Sequence, residues 1–401
     1  MLAQVLVALA TSALTLAAPT KTENRRSAAS PSIASVETVA ITLNPHLQRD
    51  SCISASELIN DRVLWLCRDT LILEDETLND YQDLPVSSTV GWSDMSNGSP
   101  LLVPIPADQG DKPITQPFSK QLTLYGQNES SPFLYYAADQ CPSSGQCDGP
   151  GAVRNVEWPD APLYITNTAS DGTVTGYMYS TRGVTGDNQP ATTLYEVTYT
   201  PGDDPLALPT ATMIAEEFFP RFAWNYGAMG GIIDDGYLYL WGVTYDFGVF
   251  NNNQTVGLAR VPVGSITNIN DYQYYYPSTS TWSSVQPNIY DASANVNIDG
   301  IFGQGTFFYS SYYGRYVYVG QLGTIDGEML IAAATASSPE GPWSAQSNQY
   351  QIDPDYSYSL AAHPEMSGNL PSNQIYLTYT QNVKYDNDNQ YVTPLLIMTL
   401  A

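Results

Sequence analysis

The chain has 401 residues with 14 basic and 40 acidic side chains, which give a formal net charge of −26 at pH 7. A surface of that sign repels nucleic-acid phosphates and anionic lipid headgroups, so we expect no nucleic-acid partner and no membrane partner. The 30 tyrosines, 29 glycines and 28 prolines are typical of an extracellular all-β protein with many turns.

The first 26 residues have the pattern of processing signals. An apolar stretch from Leu2 to Leu16 runs into small residues, which predicts a signal peptide over residues 1–18 and a secreted, extracellular protein. We assign residues 19–33 to a pro-peptide, with a processing site at Arg25-Arg26, or to a disordered segment. Cleavage after residue 26 leaves 11 of the 14 basic and 39 of the 40 acidic residues, a net charge of −28. Sequons in the secreted chain predict glycosylation at Asn97, Asn128 and Asn253.

Beyond residue 33 the sequence predicts short strands separated by turn residues. A first strand covers residues 34–43, and later strand-like runs cover residues 62–68, 173–181, 192–200, 236–245, 255–262, 314–321, 328–335 and 374–381. A unit made of a strand rich in small residues, a tight turn and an aromatic strand recurs, beginning near residues 51, 162, 227, 303 and 357.

Five such units, each followed by one or two further strands, predict an all-β fold: a five-bladed β-propeller in a single domain over residues 34–401. After the fifth unit only residues 392–400 remain as a further strand, so we expect residues 34–43 to complete the last blade and close the ring. The alternative all-β architecture is a large β-sandwich, which explains five similar units less well.

Four cysteines follow the signal peptide, and three pairings are open to them in an oxidising compartment. The local pairing, Cys52–Cys67 with Cys141–Cys147, is favoured. Neither pair has metal-ligand spacing and the chain has only two histidines, so we expect no metal site and no cofactor.

The first unit gives the most specific site prediction. Directly opposed positions of an antiparallel hairpin have a constant sum, which is 119 if Cys52 lies opposite Cys67. Asp50 and Asp69 also sum to 119, so this register places the two carboxylates side by side, with Cβ atoms roughly 5 Å apart. Carboxylates that close repel each other, and the resulting split in pKa suits the two carboxyl groups of glycoside hydrolysis. The alternative is that both aspartates cap strand ends and pair with neighbouring arginines.

Ligands of propellers bind around the channel, at the face where the innermost strands begin. Residues just before an innermost strand, or just after a second strand, are therefore candidates for substrate binding, all weaker than the aspartate pair, and Asp160 is among them. The predicted substrate-binding residues are Arg49, Arg68, Trp158, Arg221, Trp224, Asp246, Gln304 and His363. For each aromatic residue the alternative is packing between blades, and for His363 it is a hydrogen-bonded structural role.

Three segments resemble a known family. Arg49-Asp50, followed by Leu-Trp-Leu-Cys-Arg-Asp-Thr at residues 64–70, resembles the opening of the five-bladed propellers of the domain of unknown function 4185 family. Ser51 stands where glycine is usual, and Cys67-Arg68 replaces Phe-Gly. Residues 226–242 resemble the family's third blade, and residues 336–343 resemble a segment shared among glycosidase propellers.

The resemblance implies an activity. Some relatives in this group are endo-acting arabinan hydrolases in which paired aspartates of the opening are implicated, which makes Asp50 and Asp69 the expected catalytic pair. We therefore hypothesise a secreted glycoside hydrolase that acts, without a cofactor, on a neutral polysaccharide or glycan such as the furanoside arabinan. The second hypothesis is a non-catalytic, lectin-like propeller, and the third is a secreted interaction protein without a glycan ligand. We expect a carbohydrate partner and a monomer.

Overall fold

The computed structural model describes residues 31–44, 46–72, 85–107, 118–126, 131–137, 154–185, 190–202, 204–243, 255–298, 305–322, 329–345, 350–352, 357–385 and 388–401. The predicted signal peptide, the pro-peptide up to residue 30, and several predicted sites lie outside these residues and stay predictions. Those sites are Cys141, Cys147, Asn128, Asn253, Asp246 and Gln304.

Blade one is built from the N-terminal third of the chain. This part of the chain contains β1 (Ile33–Leu43), β2 (Leu47–Arg49), β3 (Ile53–Ser54), β4 (Arg62–Cys67), β5 (Thr70–Ile72), β6 (Thr89–Ser96), β7 (Ser99–Pro100), β8 (Leu102–Pro104), β9 (Lys120–Thr123) and β10 (Tyr125–Gly126). Of these, β1, β8 and β9 belong to the sheet of blade five. Strands β3, β4, β6 and β10 form the blade in that order, β7 pairs with β6, and β2 and β5 form a separate two-stranded ladder.

The next two blades follow in chain order. Blade two contains β11 (Asn155–Pro159), β12 (Tyr164–Thr168), β13 (Val174–Val184), β14 (Ala191–Tyr199) and β15 (Thr210–Phe219). Blade three contains β16 (Gly230–Asp234), β17 (Tyr237–Val243), β18 (Val256–Pro262), β19 (Gln273–Tyr276) and β20 (Thr281–Ser283). In blade two both β11 and β12 pair with β13, so the inner edge of that sheet has two segments.

The last two blades complete the ring. Blade four contains β21 (Gly305–Ser310), β22 (Arg315–Leu322), β23 (Leu330–Ala336) and β24 (Tyr350–Gln351), and blade five contains β25 (Ser357–His363), β26 (Gln374–Tyr385) and β27 (Asp388–Leu400). The helical segments among the described residues are four short 3₁₀ turns, at Val263–Ser265, Ile269–Asp271, Ala292–Ala294 and Pro364–Met366. No helix in this part of the chain is long and apolar enough to cross a bilayer. The all-β, five-bladed prediction is confirmed.

The ring is closed by the N-terminal strand, as the sequence predicts. Strand β1 pairs antiparallel with β27, with Ile33 opposite Leu400 and Thr42 opposite Thr393. The hairpin of β8 and β9 was not predicted, and it adds two further strands to the outer edge of β1 through a parallel pairing. Closure therefore ties both ends of the described chain into one six-stranded sheet.

Aromatic side chains fill the spaces between adjacent blades. Trp241 of β17 stacks on Phe307 of β21 with ring centroids 3.8 Å apart, and this pair joins blade three to blade four. Tyr318 lies against Gly305 and Gly320, where an added Cβ would come within 2.3 and 1.9 Å of its ring or hydroxyl. The aromatic second strands of the sequence repeat thus supply the inter-blade core, which is a large share of the hydrophobic stabilisation.

The five innermost strands, β3, β12, β16, β21 and β25, run in the same direction along the central channel. We call the end where these strands begin the upper end of the channel, and the end where they finish the lower end. Asp50 and Asp160 precede innermost strands and Asp69 follows the second strand of blade one, so all three belong to the upper end. The predicted glycosylation site Asn97 is exposed in the turn between β6 and β7.

Candidate active site at the upper end of the channel

The inner hairpin of blade one has the register that the sequence predicts. Cys52 and Cys67 form a disulfide with their Cα atoms 4.0 Å apart, which confirms that pairing. Ile53 lies opposite Leu66, and further up the same hairpin Arg49 lies opposite Thr70, so the sum of 119 holds on both sides of the aspartates. The backbone N–H of Asp50 donates to the carbonyl of Asp69 at 3.0 Å.

The turn after Asp50 explains the residue that follows it. Ser51 has a φ of 49°, in the left-handed region that glycine adopts most readily. Here the serine hydroxyl contributes contacts that glycine lacks. Its Oγ lies 2.5 Å from Asp50 Oδ1 and 2.5 Å from Ser359 Oγ on blade five, and its N–H donates to Thr380 Oγ1 at 2.7 Å. Ser51 therefore fixes the Asp50 carboxyl against blade five.

Asp50 is a buried carboxyl group with a raised pKa. The residue is only 4% exposed, and this burial is the main reason why its pKa rises to about 6. The nearby charge of Asp69 also raises the pKa, whereas Arg68 and the hydroxyls of Ser51 and Thr380 lower it. A carboxyl group with this pKa exchanges its proton near neutral pH, as a general acid or base must.

Asp69 is held by two donors from blade two. Its Oδ1 accepts a hydrogen bond of 2.8 Å from the indole Nε1 of Trp158, and its Oδ2 forms an ion pair with Arg154. The Asp69 side chain is 14% exposed, more than that of Asp50. Since a carboxylate has about four acceptor positions, these two contacts orient Asp69 and leave it acceptor capacity.

Arg68 joins the first two blades beside the aspartates. Its Nη1 lies 2.9 Å from Oδ1 of Asp160, and its guanidinium lies over the Trp158 ring, 4.1 Å from the centroid. The Asp160 side chain is 1% exposed, so this is a largely buried charge pair. The upper end therefore carries three carboxylates and two arginines, which come from blades one and two.

Two cavities lie along the channel. The upper cavity is a narrow crevice of about 10 Å³, bordered by Ser51, Asp160 and Ser359 among others. Residues 299–304 and 353–356, which precede β21 and β25 in the sequence, lie outside the described residues. The lower cavity is larger, about 220 Å³, and is lined by all five blades, including Glu57 and Glu365. The larger cavity is thus at the opposite end from the aspartate pair.

Three predicted binding residues are not brought to the pair. Arg49 is buried against blade one, where its Nε donates to Thr89 Oγ1 at 3.3 Å. Trp224 is fully buried in the core between blades two and three, and its indole N–H donates to Thr255 Oγ1 at 3.2 Å. This matches the packing alternative for an aromatic residue. Arg221 is exposed on the upper face, in the connection between blades two and three.

His363 lies at the lower end of β25, away from the aspartates. Both ring nitrogens are hydrogen bonded, Nδ1 to Ser54 Oγ at 2.6 Å and Nε2 to Thr378 Oγ1 at 2.7 Å. Burial lowers the pKa of His363 to about 3, so the ring is neutral. The structural role that sequence analysis left open for this histidine fits these contacts.

Several residues of the site were missed by sequence reasoning. Arg154, Ser359 and Thr380 contact the aspartates or Ser51 from distant segments, and nothing in their local sequence marks them. Asp160, whose position before the innermost strand of blade two mirrors that of Asp50 in blade one, pairs with Arg68 beside the aspartates. In the described part of the chain no group of three or more His, Cys, Asp or Glu side chains is arranged to hold a metal ion.

The geometry defines a five-bladed propeller with a carboxylate cluster at the upper end of its channel. Residues 197–388 match the family described as Domain of unknown function (DUF4185), which confirms the resemblance over blades three to five and the end of blade two. The match does not include the hairpin of Asp50 and Asp69. A search of the curated proteins gave no match.

Solved propellers resemble the chain at a distance. The catalytic domain of an α-L-arabinofuranosidase of family GH62 from Coprinopsis cinerea is 10% identical, covers 93% of this chain and 98% of its own, and has a TM-score of 0.43. A family 117 glycoside hydrolase from Zobellia galactanivorans is 9% identical over 92% of this chain and 90% of its own, with a TM-score of 0.45. An endo-arabinase from Bacteroides thetaiotaomicron is 11% identical over 89% and 96%, with a TM-score of 0.40. At these values the likenesses say nothing about the activity of this chain.

Proposed function

We propose that the protein is a secreted glycoside hydrolase that cleaves a neutral polysaccharide or glycan, with arabinan as the first candidate substrate. The observation that carries the proposal is the pair of aspartates at the upper end. Asp50 is buried with a pKa raised to about 6, and its backbone is hydrogen bonded to that of the partly exposed Asp69. Glycoside hydrolysis needs two carboxyl groups held in different protonation states.

In this proposal Asp50 is the general acid. Its protonated form donates to the glycosidic oxygen of the leaving group, while Asp69 is the second carboxylate, which attacks the sugar or activates water. Trp158 and Arg154 orient Asp69. Arg68 opposes the rise in the Asp50 pKa and is itself positioned by Asp160. The reaction uses no cofactor.

Secretion is part of the same proposal. The apolar stretch at residues 2–16 and the Cys52–Cys67 disulfide support an oxidising, extracellular environment. A net charge of −26 favours neutral substrates over anionic ones, because acidic polymers are repelled. Mass spectrometry of the secreted chain tests the signal peptide, the processing at Arg25-Arg26 and the glycosylation sites directly.

The activity is tested by incubating the purified secreted protein with arabinose-, galactose- and xylose-containing polysaccharides and analysing released oligosaccharides. We expect products from one class, and none from Asp50→Asn or Asp69→Asn protein that retains the wild-type circular dichroism spectrum. Full hydrolysis by a folded Asp50→Asn variant contradicts the assignment. Polysaccharide binding without products supports the lectin-like alternative, and neither binding nor products supports an interaction protein without a glycan ligand.

A further inference from the structure

An exposed phenylalanine on the upper face is held in a backbone conformation that ordinarily selects glycine. Phe222 has a φ of 68°, and the N–H of Ala223 donates to the carbonyl of Pro220 at 3.1 Å, which closes a four-residue turn with Phe222 at its third position. A positive φ at the third position defines turns in which glycine or asparagine is usual. For a bulky residue this backbone conformation is strained.

Burial does not offset this strain. Phe222 is 48% exposed, and it makes no ring contact in the part of the chain that the structure describes. The adjacent Phe218 and Phe219 differ, because both pack into the core between blades two and three. A glycine at position 222 would fit the turn better, and Phe222 is not a member of the hydrophobic cluster between blades two and three. The aromatic ring at position 222 therefore does not stabilise the fold, which indicates a role in binding.

A second exposed aromatic residue lies on the neighbouring backbone. The N–H of Ile289 donates to the carbonyl of Phe222 at 3.2 Å, and the next residue, Tyr290, is 76% exposed. Side-chain oxygens order the backbone around it, since Asn288 Oδ1 accepts from the Tyr290 N–H at 3.0 Å and Asp291 Oδ1 accepts from Ser293 N–H at 3.0 Å. The tyrosine ring is thus presented to solvent from a well-tied segment.

The segment that carries Phe222 lies on the same face of the propeller as the aspartates. Residues 220–229 connect the outer strand β15 of blade two to the innermost strand β16 of blade three, so they cross the upper face from the rim to the channel. Phe222 lies at the outer part of that connection, on the same face as Asp50. Aromatic faces stack on the apolar faces of sugar rings, and they do so at low cost in side-chain entropy.

We propose that Phe222 and Tyr290 form an aromatic platform that binds sugar units of a polysaccharide remote from the bond that is cleaved. The inference rests on the proposed function and deepens it: the substrate class is a polymer, and a short oligosaccharide that reaches only Asp50 and Asp69 does not contact the platform. Binding at remote units lowers KM for long chains relative to short ones.

The test compares wild-type protein with Phe222→Gly and Tyr290→Ala on the polysaccharide found in the screen and on its shortest cleaved oligosaccharide. We expect the ratio of KM for the polymer to KM for the oligosaccharide to rise about three- to tenfold in each variant. The melting temperature of Phe222→Gly should equal or exceed that of the wild type, because the turn is relieved. Asn60→Gly is the matched control, since Asn60 also has a positive φ of 52° but lies at the lower end, in the inner hairpin of blade one.

An unchanged KM ratio in Phe222→Gly overturns the platform while leaving the proposed hydrolase intact. A melting temperature several degrees lower, with an unchanged ratio, assigns Phe222 a structural role instead. Affinity electrophoresis in gels that contain the polysaccharide measures binding when the wild type shows no hydrolysis. If the wild type binds without cleaving and Phe222→Gly binds less, the platform stands and the hydrolase proposal fails. If the wild type neither binds nor cleaves any of the polysaccharides, both fail.

Discussion

The two ends of the channel each hold a buried carboxyl group, but the groups that surround it differ between the ends. At the upper end, Asp50 has a pKa raised to about 6 beside Asp69 and Arg68. At the lower end, burial raises the pKa of Glu365 to about 8, and Nδ1 of the neutral His363 lies 3.8 Å from its Oε1. No arginine or lysine is among the described residues that line the lower cavity.

This difference shows why burial alone does not identify a reactive group. The pKa of Glu365 is shifted further than that of Asp50. The side chains next to Glu365, however, are Ser54, His363 and Thr378, which form a hydrogen-bonded network typical of a structural role. At the upper end the charge of Arg68 and the hydroxyls of Ser51 and Thr380 oppose the effect of burial on the pKa of Asp50, which is left at an intermediate value suited to proton transfer near neutral pH. We therefore place the chemistry at the upper end, although the larger cavity is at the lower one.

The largest expected effect contrasts the two carboxyl groups directly. Asp50→Asn should lower kcat on the cleaved polysaccharide by about 10²- to 10⁴-fold, because it removes the proton donor. Glu365→Gln should change kcat by less than about threefold, because a protonated glutamic acid and glutamine have the same shape. Reducing-sugar assays on both purified variants measure this. Equal losses of kcat in the two variants would contradict the assignment of catalysis to the upper end.

The disulfide is the next test, because it holds only the upper end. Replacing Cys52 and Cys67 together with alanine removes a cross-link between residues 15 positions apart. We expect a loss of about 3 kcal/mol in the free energy of unfolding, measured in guanidinium chloride. If the cross-link also maintains the register of Asp50 and Asp69, kcat should fall by a larger factor than the fraction of folded protein does. Unaltered stability would mean that blade one holds this hairpin without it.

The pH dependence of stability reports on two buried glutamates, Glu365 at the lower end and Glu157 in β11 of blade two. Burial raises the pKa of Glu365 and of Glu157 to about 8, from ordinary values near 4.5. The folded chain therefore keeps these protons to higher pH than the unfolded chain, and stability should be greatest below pH 4.5 and fall as pH rises through 8. Each pKa unit corresponds to about 1.4 kcal/mol. Glu365→Gln should flatten this dependence in denaturant titrations, and a stability that increases from pH 5 to 8 in the wild type would be inconsistent with it.

The smallest effect is a shift in the pH profile of activity. Because Arg68 lowers the pKa of Asp50, Arg68→Gln should move the alkaline limb of kcat/KM to higher pH by about one unit. Arg260→Gln is a matched control, since Arg260 also lies 4.1 Å over a tryptophan ring, that of Trp282, but on blade three. A profile that is unchanged in Arg68→Gln, or shifted equally in both variants, would remove Asp50 as the titrating acid.

Much of the fold and part of the site could be predicted from the sequence, because both depend on local pattern. The repeated aromatic strands gave the blade number, and the spacing of Cys52 and Cys67 gave the register that brings Asp50 to Asp69. A hairpin register is a property of neighbouring residues, so two cysteines are sufficient to define it.

The rest depends on contacts between distant segments. Ser359 reaches Ser51 from blade five, 308 residues away, and the hairpin of β8 and β9 joins β1 through a parallel pairing. Sequence pattern also does not say toward which blade a side chain turns: the side chain of Trp224 packs into the core between blades two and three, and His363 lies at the lower end of β25. The positive φ of Phe222 is equally invisible, because phenylalanine is not a turn residue.

A crystal structure of the Asp50→Asn protein with a bound oligosaccharide, taken from the polysaccharide class that the wild type cleaves, tests the central claim most directly. The account predicts a sugar chain across the upper end, with a glycosidic oxygen about 3 Å from the side chain of residue 50 and Asp69 on the other side of the bond. A sugar bound only in the lower cavity, beside Glu365, would contradict it.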